Sequence, residues 1–470
     1  MSELRFVPPP PPVPEKPLKG FALIDALRTN VLKMWPKEAF EVPVLAQEAL
    51  GKPIILLNEP EAVRHVLVEN EQNYTRSPIR IRILRPVVRN GLLLAEGEFW
   101  RHSRRIAAPA FSPRALPILT RHFALGAQEI IASLEGPAAR GAPVNFLDLV
   151  RYWSIDLSGK SMFSLEMSDF GPRMHALMTR YVEHLGRPFL LDVLLPMHIS
   201  SPRDLMRRRL EKSWMGMLDE VVEKRLQAKR MEAGGERDLL DLLREARDPE
   251  SGAEFTREQL RDQVATMLVA GQETTTSGLF WTIYLLALNP ALQERIAAEA
   301  AELDLGPDNA AQAFQALTFT RAVFNEALRL YPPVFMIVRK AVAEDKAGSA
   351  TIPPGATVMI APWVLQRHRQ YWQEPEVFDP ARFLPGAPRP QPMTYLPFGT
   401  GPRVCIGAQF ATALSVLLIA SIVRRFRIEL TSTRPAMPVC VATCRPDHAP
   451  EFRLHPRGAA SGTAVAQAAA

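Results

Sequence analysis

"FGTGPRVCIG" occupies residues 398–407, and one of only three cysteines in the 470-residue chain, Cys405, stands inside it. Gly399 and Gly401 precede Arg403 and allow backbone angles that a side chain forbids. Gly407 follows the cysteine where an apolar run, "AQFATALSVLLIASIVRRF" (408–426), begins. That run reads as a helix apolar on nearly every side, hence buried. Cys405 thus stands at a helix N-terminus, where unpaired amides and the dipole favour a thiolate. Arg403 adds positive charge. A thiolate so held serves as a nucleophile or as a metal ligand. A nucleophile needs a base beside it, and no histidine falls in the stretch. A single soft thiolate suits the axial position of haem iron, where its electron donation helps break the O–O bond. The plain alternative is a helix-capping turn around a buried cysteine.

The rest of the composition narrows the field. A hydrophobic share of 47% supplies a large core, and a net charge of +6 is too small an excess to indicate nucleic acid. No arginine-rich patch interleaved with aromatics occurs. Three cysteines exclude a disulfide framework and fit a reducing compartment. Cys440 and Cys444 lack the further ligands of a zinc set and read as structural. The start, "MSELRFVPPPPPVPEKPLKG", has no apolar core of a signal peptide, and its proline run reads as extended polyproline. No stretch of eighteen apolar residues predicts a transmembrane helix. The closing "AASGTAVAQAAA" reads as a loose tail.

Helical patterns dominate the middle. One covers 201–230 behind a Ser-Pro start, with its arginines expected on a solvated face. A longer one covers 256–289; Thr256 and Gln259 form a capping box at its start. Pro290 ends it and opens the next helix, capped by Asn289. Another runs through "FTRAVFNEALRLY" and halts at Pro332-Pro333. Strand signals fall at 52–58, 356–362 and near 427–430 and 451–454, and "TIPPGATV" suggests a hairpin rim. The fold class is mainly α with a small β portion (α+β), split between the two ends of the chain.

Two further stretches stand out. "AGQETT" (270–275) places Gly271 and successive threonines mid-helix, although glycine costs about 1 kcal/mol against alanine there and threonine is a poor helix former. Either packing distorts the helix or the residues serve a site. In "EALR", Glu326 and Arg329 stand three apart and share a helix face, an arrangement common on surfaces.

Taken together these stretches resemble the cytochrome P-450 family. Phe398, Gly401, Arg403, Cys405 and Gly407 match its haem-binding signature, and the matches run in family order from about residue 91 to 411. The resemblance implies the P-450 fold, with haem between the long central helix and the cysteine loop. It divides the chain into a proline-rich segment (1–20), a haem domain (21–456) and a flexible tail (457–470). It implies heme b (iron protoporphyrin IX), with Cys405 as axial iron ligand. Cofactor contacts would come from Trp100, Arg104, Ala270, Gly271, Thr274, Arg339, Pro397, Phe398, Gly399, Arg403, Ile406, Gly407 and Ala411. Arg101 and His102 would face outward. Thr274 would hold water and oxygen by hydrogen bonds and Glu273 would relay protons, which is acid–base catalysis. Glu326 and Arg329 would be buried and tied to Arg382 in a structural network; Ala381 departs from the glutamate that the family often carries.

For the substrate, the resemblance points to stretches 78–98, 186–200, 268–273, 334–337 and 447–450. Leu268, Val269, Val334, Phe335, Met336 and Ile337 are apolar candidates, and "FLLDVLLPMHI" (189–199) falls where the family has a mobile lid. An apolar small molecule follows, such as a fatty acyl, terpenoid or aromatic compound. Arg80, Arg82, Arg85 and Arg89 read as solvated, with a substrate carboxylate as the alternative. Without room for a fused reductase, electrons would come from a separate ferredoxin or flavodoxin. The implied protein is a soluble, cytoplasmic, monomeric monooxygenase using O2. A peroxide-driven oxidase, a haem-thiolate sensor and a colourless helical binding protein are the alternatives.

Overall fold

The structure, a computed structural model, describes residues 2–18, 20–49, 51–164, 170–189, 191–192, 195–227 and 237–458. Most of the expected tail (459–470) and the end of the 201–230 helix (228–230) lie outside these residues, as do positions 190, 193 and 194 of the 186–200 stretch.

The longer helices are α1 (Gly20–Thr29), α2 (Pro78–Val88), α3 (Gly97–Ala107), α4 (Leu116–Ala139), α5 (Phe146–Phe163), α6 (Pro202–Gln227), α7 (Arg257–Leu288), α8 (Pro290–Ala301), α9 (Thr318–Leu330) and α10 (Ala408–Arg425). Shorter ones lie at Gly171–Arg180, Leu239–Glu245 and Ala310–Ala316. The central helix α7 begins where its capping box predicts. Gln259 N donates to Thr256 Oγ1 at 3.2 Å, and Thr256 N donates to Gln259 Oε1 at 2.9 Å. Its 32 residues span about 48 Å at the α-helical rise. Asn289 Oδ1 then accepts from Ala291 N at 3.1 Å and opens α8. Helix α9 stops before Pro332, which cannot continue the ladder.

Helix α7 packs along α5 and against α9 and α10, while α10 also packs on α4 and α8. Ten positions of α10, Ala413–Ala420 with Ile422 and Val423, are buried. By length and composition α10 is apolar enough to cross a membrane. Its neighbours explain that apolarity instead: it is a core helix, surrounded by other helices.

Strands are β1 (Val44–Ala49), β2 (Lys52–Leu57), β3 (Tyr74–Arg76), β4 (Ile337–Ala341), β5 (Asp345–Ala347), β6 (Ala350–Ile352), β7 (Thr357–Ile360), β8 (Phe426–Leu430), β9 (Pro438–Cys440), β10 (Cys444–Pro446) and β11 (Phe452–Pro456). The main sheet has the order β1-β2-β7-β4-β3, with β2 and β7 parallel and its other pairs antiparallel. Pairs β8/β11, β9/β10 and β5/β6 stand apart from it. "TIPPGATV" is therefore not a hairpin: β6 pairs with β5, whereas β7 joins the main sheet. Pro353 and Pro354, lacking amide donors, separate two strands that belong to different sheets.

Two arginine expectations are corrected. Arg207 of α6 is 1% exposed and pairs with Asp192 at 2.7 Å and Asp204 at 2.9 Å. Arg82 of α2 is also buried and donates to the carbonyls of Leu191, Asp192, Leu195, Pro196 and Ile199. A guanidinium presents five N–H donors in a fixed fork. One side chain can therefore gather several backbone carbonyls at once. Of the others, Arg85 is exposed and Arg89 pairs with Glu211 at 3.1 Å.

Candidate active site

The cysteine loop is closed by its own backbone. Cys405 N donates to Phe398 O at 2.9 Å, Val404 N to Gly401 O at 3.0 Å and Gly399 N to Leu396 O at 3.1 Å. Gly399 and Gly401 sit at φ +70° and +73°, the left-handed region that side chains avoid. At Gly401 a Cβ would also lie 2.3 Å from Leu67 O, so only glycine lets the loop pass that carbonyl. Ala411 N donates to Gly407 O at 2.8 Å and starts α10.

The Cys405 side chain is exposed, yet protein surrounds it on most sides. It is exposed within a concavity rather than on a convex surface. Burial raises the thiol, with the Gly407 amide and the Arg104 charge acting the other way. The helix terminus alone therefore does not make the thiolate expected from sequence; desolvation outweighs it, and a bound cation would be needed to complete the deprotonation. Cys440 and Cys444 are buried free thiols that face each other across β9/β10.

Helix α7 has an opening of its own. Its residues are buried from Val264 to Val269 and from Thr276 to Leu286, but Ala270, Gly271 and Glu273–Thr275 are partly open. A Cβ at Gly271 would meet nothing within 4 Å. On α10 the same interruption appears in the first turn, where Ala408–Thr412 are incompletely covered and Ala413 onward is buried. Two helices that pack together thus leave a gap in the core at the positions singled out in sequence. Thr274 Oγ1 donates to Ala270 O at 2.6 Å, and Glu273 Oε2 accepts from Thr443 Oγ1 at 3.4 Å.

Helix α3 brings Trp100 and Arg104, four apart, onto one face. Arg403 stacks over the Trp100 ring with Cζ 4.3 Å from its centroid. Its donors are engaged by protein: Ala95 O at 3.0 Å and Glu96 at 2.7 Å, with Glu71 3.9 Å away. The cations left poorly compensated are others. Arg104 has no acceptor among the described residues, and burial lowers its pKa. Arg339 donates only to the adjacent Val338 O, at 3.1 Å. Burial, then the nearby Arg403 charge, lowers it to about 10. Directly opposite in register stands Arg76, lowered to about 9 by burial and by Arg403, with Glu96 at 3.0 Å in partial compensation. Arg80 donates to Met336 O at 3.2 Å and is likewise lowered by burial. It belongs to this cluster rather than to solvent. Ile337, Arg339, Gly399 and Arg403 share the wall of a cavity of about 40 Å³.

Sequence reasoning missed Arg76. Its signal is the pairing of β3 with β4, residues more than 250 positions apart. It also missed how α7 is fixed to the segment before α3: Asn90 N donates to Asp262 Oδ2 and Leu92 N to Gln263 Oε1 at 2.9 Å. Gly91 is required there, since a Cβ would lie 1.8 Å from Thr266 Oγ1. Outward-facing Arg101 pairs with Glu98. His102 does not face solvent freely: with Arg105 it binds Asp248, whose side chain is fully covered, at 2.7 Å and 2.9 Å. This cluster ties α3 to the loop after Leu239–Glu245.

Behind the cysteine loop, Glu326 and Arg329 are both 0% exposed. Arg329 donates twice to Glu326 at 2.7 Å and to the carbonyls of Gln366, Pro375 and Val377. Glu326 also accepts from Asp379 N at 2.9 Å and lies 3.5 Å from Arg382 Nε. Gln366 continues the connection, accepting from Leu396 N at 2.8 Å, just before Pro397 and the loop.

The apolar candidates divide. Leu268, Val269, Phe335 and Met336 are buried, Ile337 is partly open and Val334 is 37% exposed. Phe335, 1% exposed, is a packing residue without an open face, because the core closes around it.

These features fit a flat, anionic, metal-bearing group. A helix keeps glycine where its surface is open, a thiol stands exposed within crowded protein, and the partly buried Arg104 and Arg339 lack paired carboxylates among the described residues. A haem with two propionates would answer each of them, with Cys405 to its metal and Arg339 and Arg104 to its carboxylates.

Comparison with known proteins agrees. The family model described as Cytochrome P450 matches residues 10–445. The chain is 29% identical over 418 residues to "Protein LUTEIN DEFICIENT 5, chloroplastic" of Arabidopsis thaliana, covering 85% of this chain and 69% of that one. It is 29% identical over 419 residues to "Cyclooctatin synthase" of Streptomyces melanosporofaciens, covering 88% of each. The crystal structure of cytochrome P450DA heme domain aligns with TM-score 0.80 at 24% identity, over 96% of this chain and 98% of that one.

Proposed function

The chain belongs to the cytochrome P450 family, and from that premise we propose a haem b monooxygenase that oxidises an apolar small molecule with electrons from a separate protein. When bound, the haem supplies activation of O2, so that one oxygen atom can enter a substrate C–H bond and the other leaves as water. Everything else falls to the chain. Cys405 offers its sulfur to the iron, and the Gly407 amide donates to that sulfur, stabilising its negative charge. Arg339, Arg104 and Trp100 would hold the carboxylates. Thr274 Oγ1 donates its hydrogen bond to Ala270 O, so its lone pairs remain to accept from a water. Glu273, which accepts from Thr443 Oγ1, would relay protons to that water.

The open, Cβ-free surface at Gly271 of the central helix, together with an exposed cysteine that protein surrounds on most sides, carries this reading. Support for an apolar substrate comes from Leu268 and Val269, which precede the opening at Ala270 and Gly271 on the same helix, and from a relative named "Cyclooctat-9-en-7-ol 5-monooxygenase". The donor would be an acidic ferredoxin or flavodoxin, the protein monomeric and cytoplasmic. Reduction of the purified protein under carbon monoxide tests the haem site: a long-wavelength Soret band that disappears in Cys405→Ser is expected, and its absence from the wild type refutes the assignment. Thr274→Ala separates enzyme from sensor. Oxygen consumption uncoupled from product is expected, while unchanged coupling rejects the proton-delivery role. Reduction rates should fall as salt rises, since exposed charges are screened.

A further inference from the structure

A second recess lies away from the residues of the cysteine loop. It has a volume of about 300 Å³, and its wall includes Arg28, His184, Arg187, Pro188, Phe189 and Arg203. Three segments meet there: the end of α1, the stretch 184–189, and the first turn of α6. None of the residues lining it is acidic. The carboxylate nearest in sequence to Arg28, Asp25, stands 3.9 Å from its guanidinium, and both side chains are about 60% exposed. Arg187 Nε is buried without an acceptor. Arg203 lies over the Phe189 ring, with Cζ 4.5 Å from the centroid. Among the described residues its side chain makes one hydrogen bond, a 3.5 Å contact to Arg187 O.

The contrast with neighbouring arginines is informative. Arg82 and Arg207 use their donors on the backbone of 185–199 and on Asp192 and Asp204, and both are buried. They hold this region together. Arg187 and Arg203 hold nothing comparable, yet they converge on a concavity. Like charges brought together without a counter-charge repel, and the cost falls when an anion binds between them. Guanidiniums suit carboxylates through their paired donors, while Phe189 and Pro188 offer an apolar wall beside them.

We propose that this recess is a binding subsite for the carboxylate end of an amphiphile: the head group meets Arg187 and Arg203, with Arg28 beside them, and the first carbons of the chain lie on Phe189 and Pro188. A volume of 300 Å³ takes a head group and a short length of chain, being at the lower end of ligand pockets. The subsite stands independently of the oxygen chemistry, because no residue assigned to the cofactor lines it.

The test is isothermal titration calorimetry on the purified full-length holoprotein at low salt with dodecanoate, dodecan-1-ol and inorganic phosphate. Wild type is compared with Arg187→Gln/Arg203→Gln, after matching their far-UV circular dichroism and Soret absorbance. The expected result is that the double variant weakens dodecanoate at least tenfold and leaves dodecan-1-ol within twofold. Addition of salt should weaken dodecanoate for the wild type alone. An unchanged dodecanoate Kd in the variant overturns the subsite. Equal weakening of the alcohol overturns the carboxylate contact. Inorganic phosphate that binds the wild type as tightly as dodecanoate overturns the amphiphile in favour of a simple ion. Should the double variant fail to match the wild-type spectra, Arg203→Lys replaces it. That variant keeps the charge but loses the fork and the stacking, and weakening of dodecanoate by less than twofold then counts against the subsite.

Discussion

Replacing Glu326 by glutamine removes one charge and almost no volume. The amide oxygen can still accept from Asp379 N, as the carboxylate does at 2.9 Å. What disappears is the counter-charge of Arg329, a guanidinium with 0% exposure whose remaining partners are three neutral carbonyls. Breaking one side of a buried pair costs about 3–5 kcal/mol, chiefly because the surviving ion stays desolvated and uncompensated. Against a total stability of about 5–15 kcal/mol that is a large share. With a urea dependence of about 3 kcal/mol per molar, the unfolding midpoint should fall by roughly 1–1.7 M. Glu41→Gln is the control. It breaks a surface pair with Arg369 whose members are 48% and 60% exposed, worth about 0–1 kcal/mol. Urea titrations followed by far-UV circular dichroism compare the two. Haem content should fall with Glu326→Gln as well, because the network leads through Gln366 to the residue before Pro397. Equal midpoint shifts in both variants, or full haem loading of Glu326→Gln, would refute the reasoning.

Gly271→Leu should fold normally, since a Cβ there meets open space and leucine is the better helix former by about 1 kcal/mol. Its Soret absorbance per chain should nevertheless drop several-fold, and full loading would remove the reason for the glycine. Gly401→Ala, with φ +73° and Leu67 O 2.3 Å from its Cβ, should lose roughly 1–3 kcal/mol in urea unfolding. Gly399→Ala, at φ +70° with free space, should lose only about 1 kcal/mol; matched losses would show that the carbonyl does not matter. Asp248 carries a pKa depressed first by its bond to Arg105, then by backbone and His102 bonds that outweigh burial. A depressed carboxyl stabilises the fold above its unfolded value, near 3.9, and the contribution is lost as pH falls through the lower folded value. Asp248→Asn should therefore lower the melting temperature at pH 7 and flatten its fall below pH 4, and an unaltered acid limb would argue against the linkage.

How legible the molecule is from its sequence depends on how far apart the interacting residues lie. The capping box of Thr256 and Gln259, the Asn289 cap and the end of α9 before Pro332 are set within a few residues, and each was readable. So was the Cys405 loop, where glycines, arginine and thiol are contiguous. The buried Glu326–Arg329 pair was readable only through family resemblance, because three-residue spacing does not say whether a helix face is inside. Arg76 and Arg80 were opaque. Their environment comes from β4 and the cysteine loop, hundreds of residues away. The reading of 201–230 as a helix with a solvated arginine face fails at Arg207 for the same reason: Asp192 lies on another segment. "TIPPGATV" misled because its turn chemistry is genuine, while the strands it joins find partners elsewhere. Phe335 looked like a pocket wall because apolar residues in the core and in a pocket carry the same sequence signal.

The fork of Arg82 has a mechanical meaning. Hydrogen bonds that converge on one guanidinium act in parallel, so they are not lost one at a time. To shift the 195–199 backbone against α2, the bonds to Leu195, Pro196 and Ile199 must all give way. The cheaper displacement moves backbone and helix as one body. Two residues earlier on that eleven-residue rod, Arg80 donates to Met336 O, at the edge of the charged cluster. The 195–199 backbone and the charged cluster beside β4 are thus joined through one helix. If that backbone shifts and α2 stays rigid, Arg80 is carried with it.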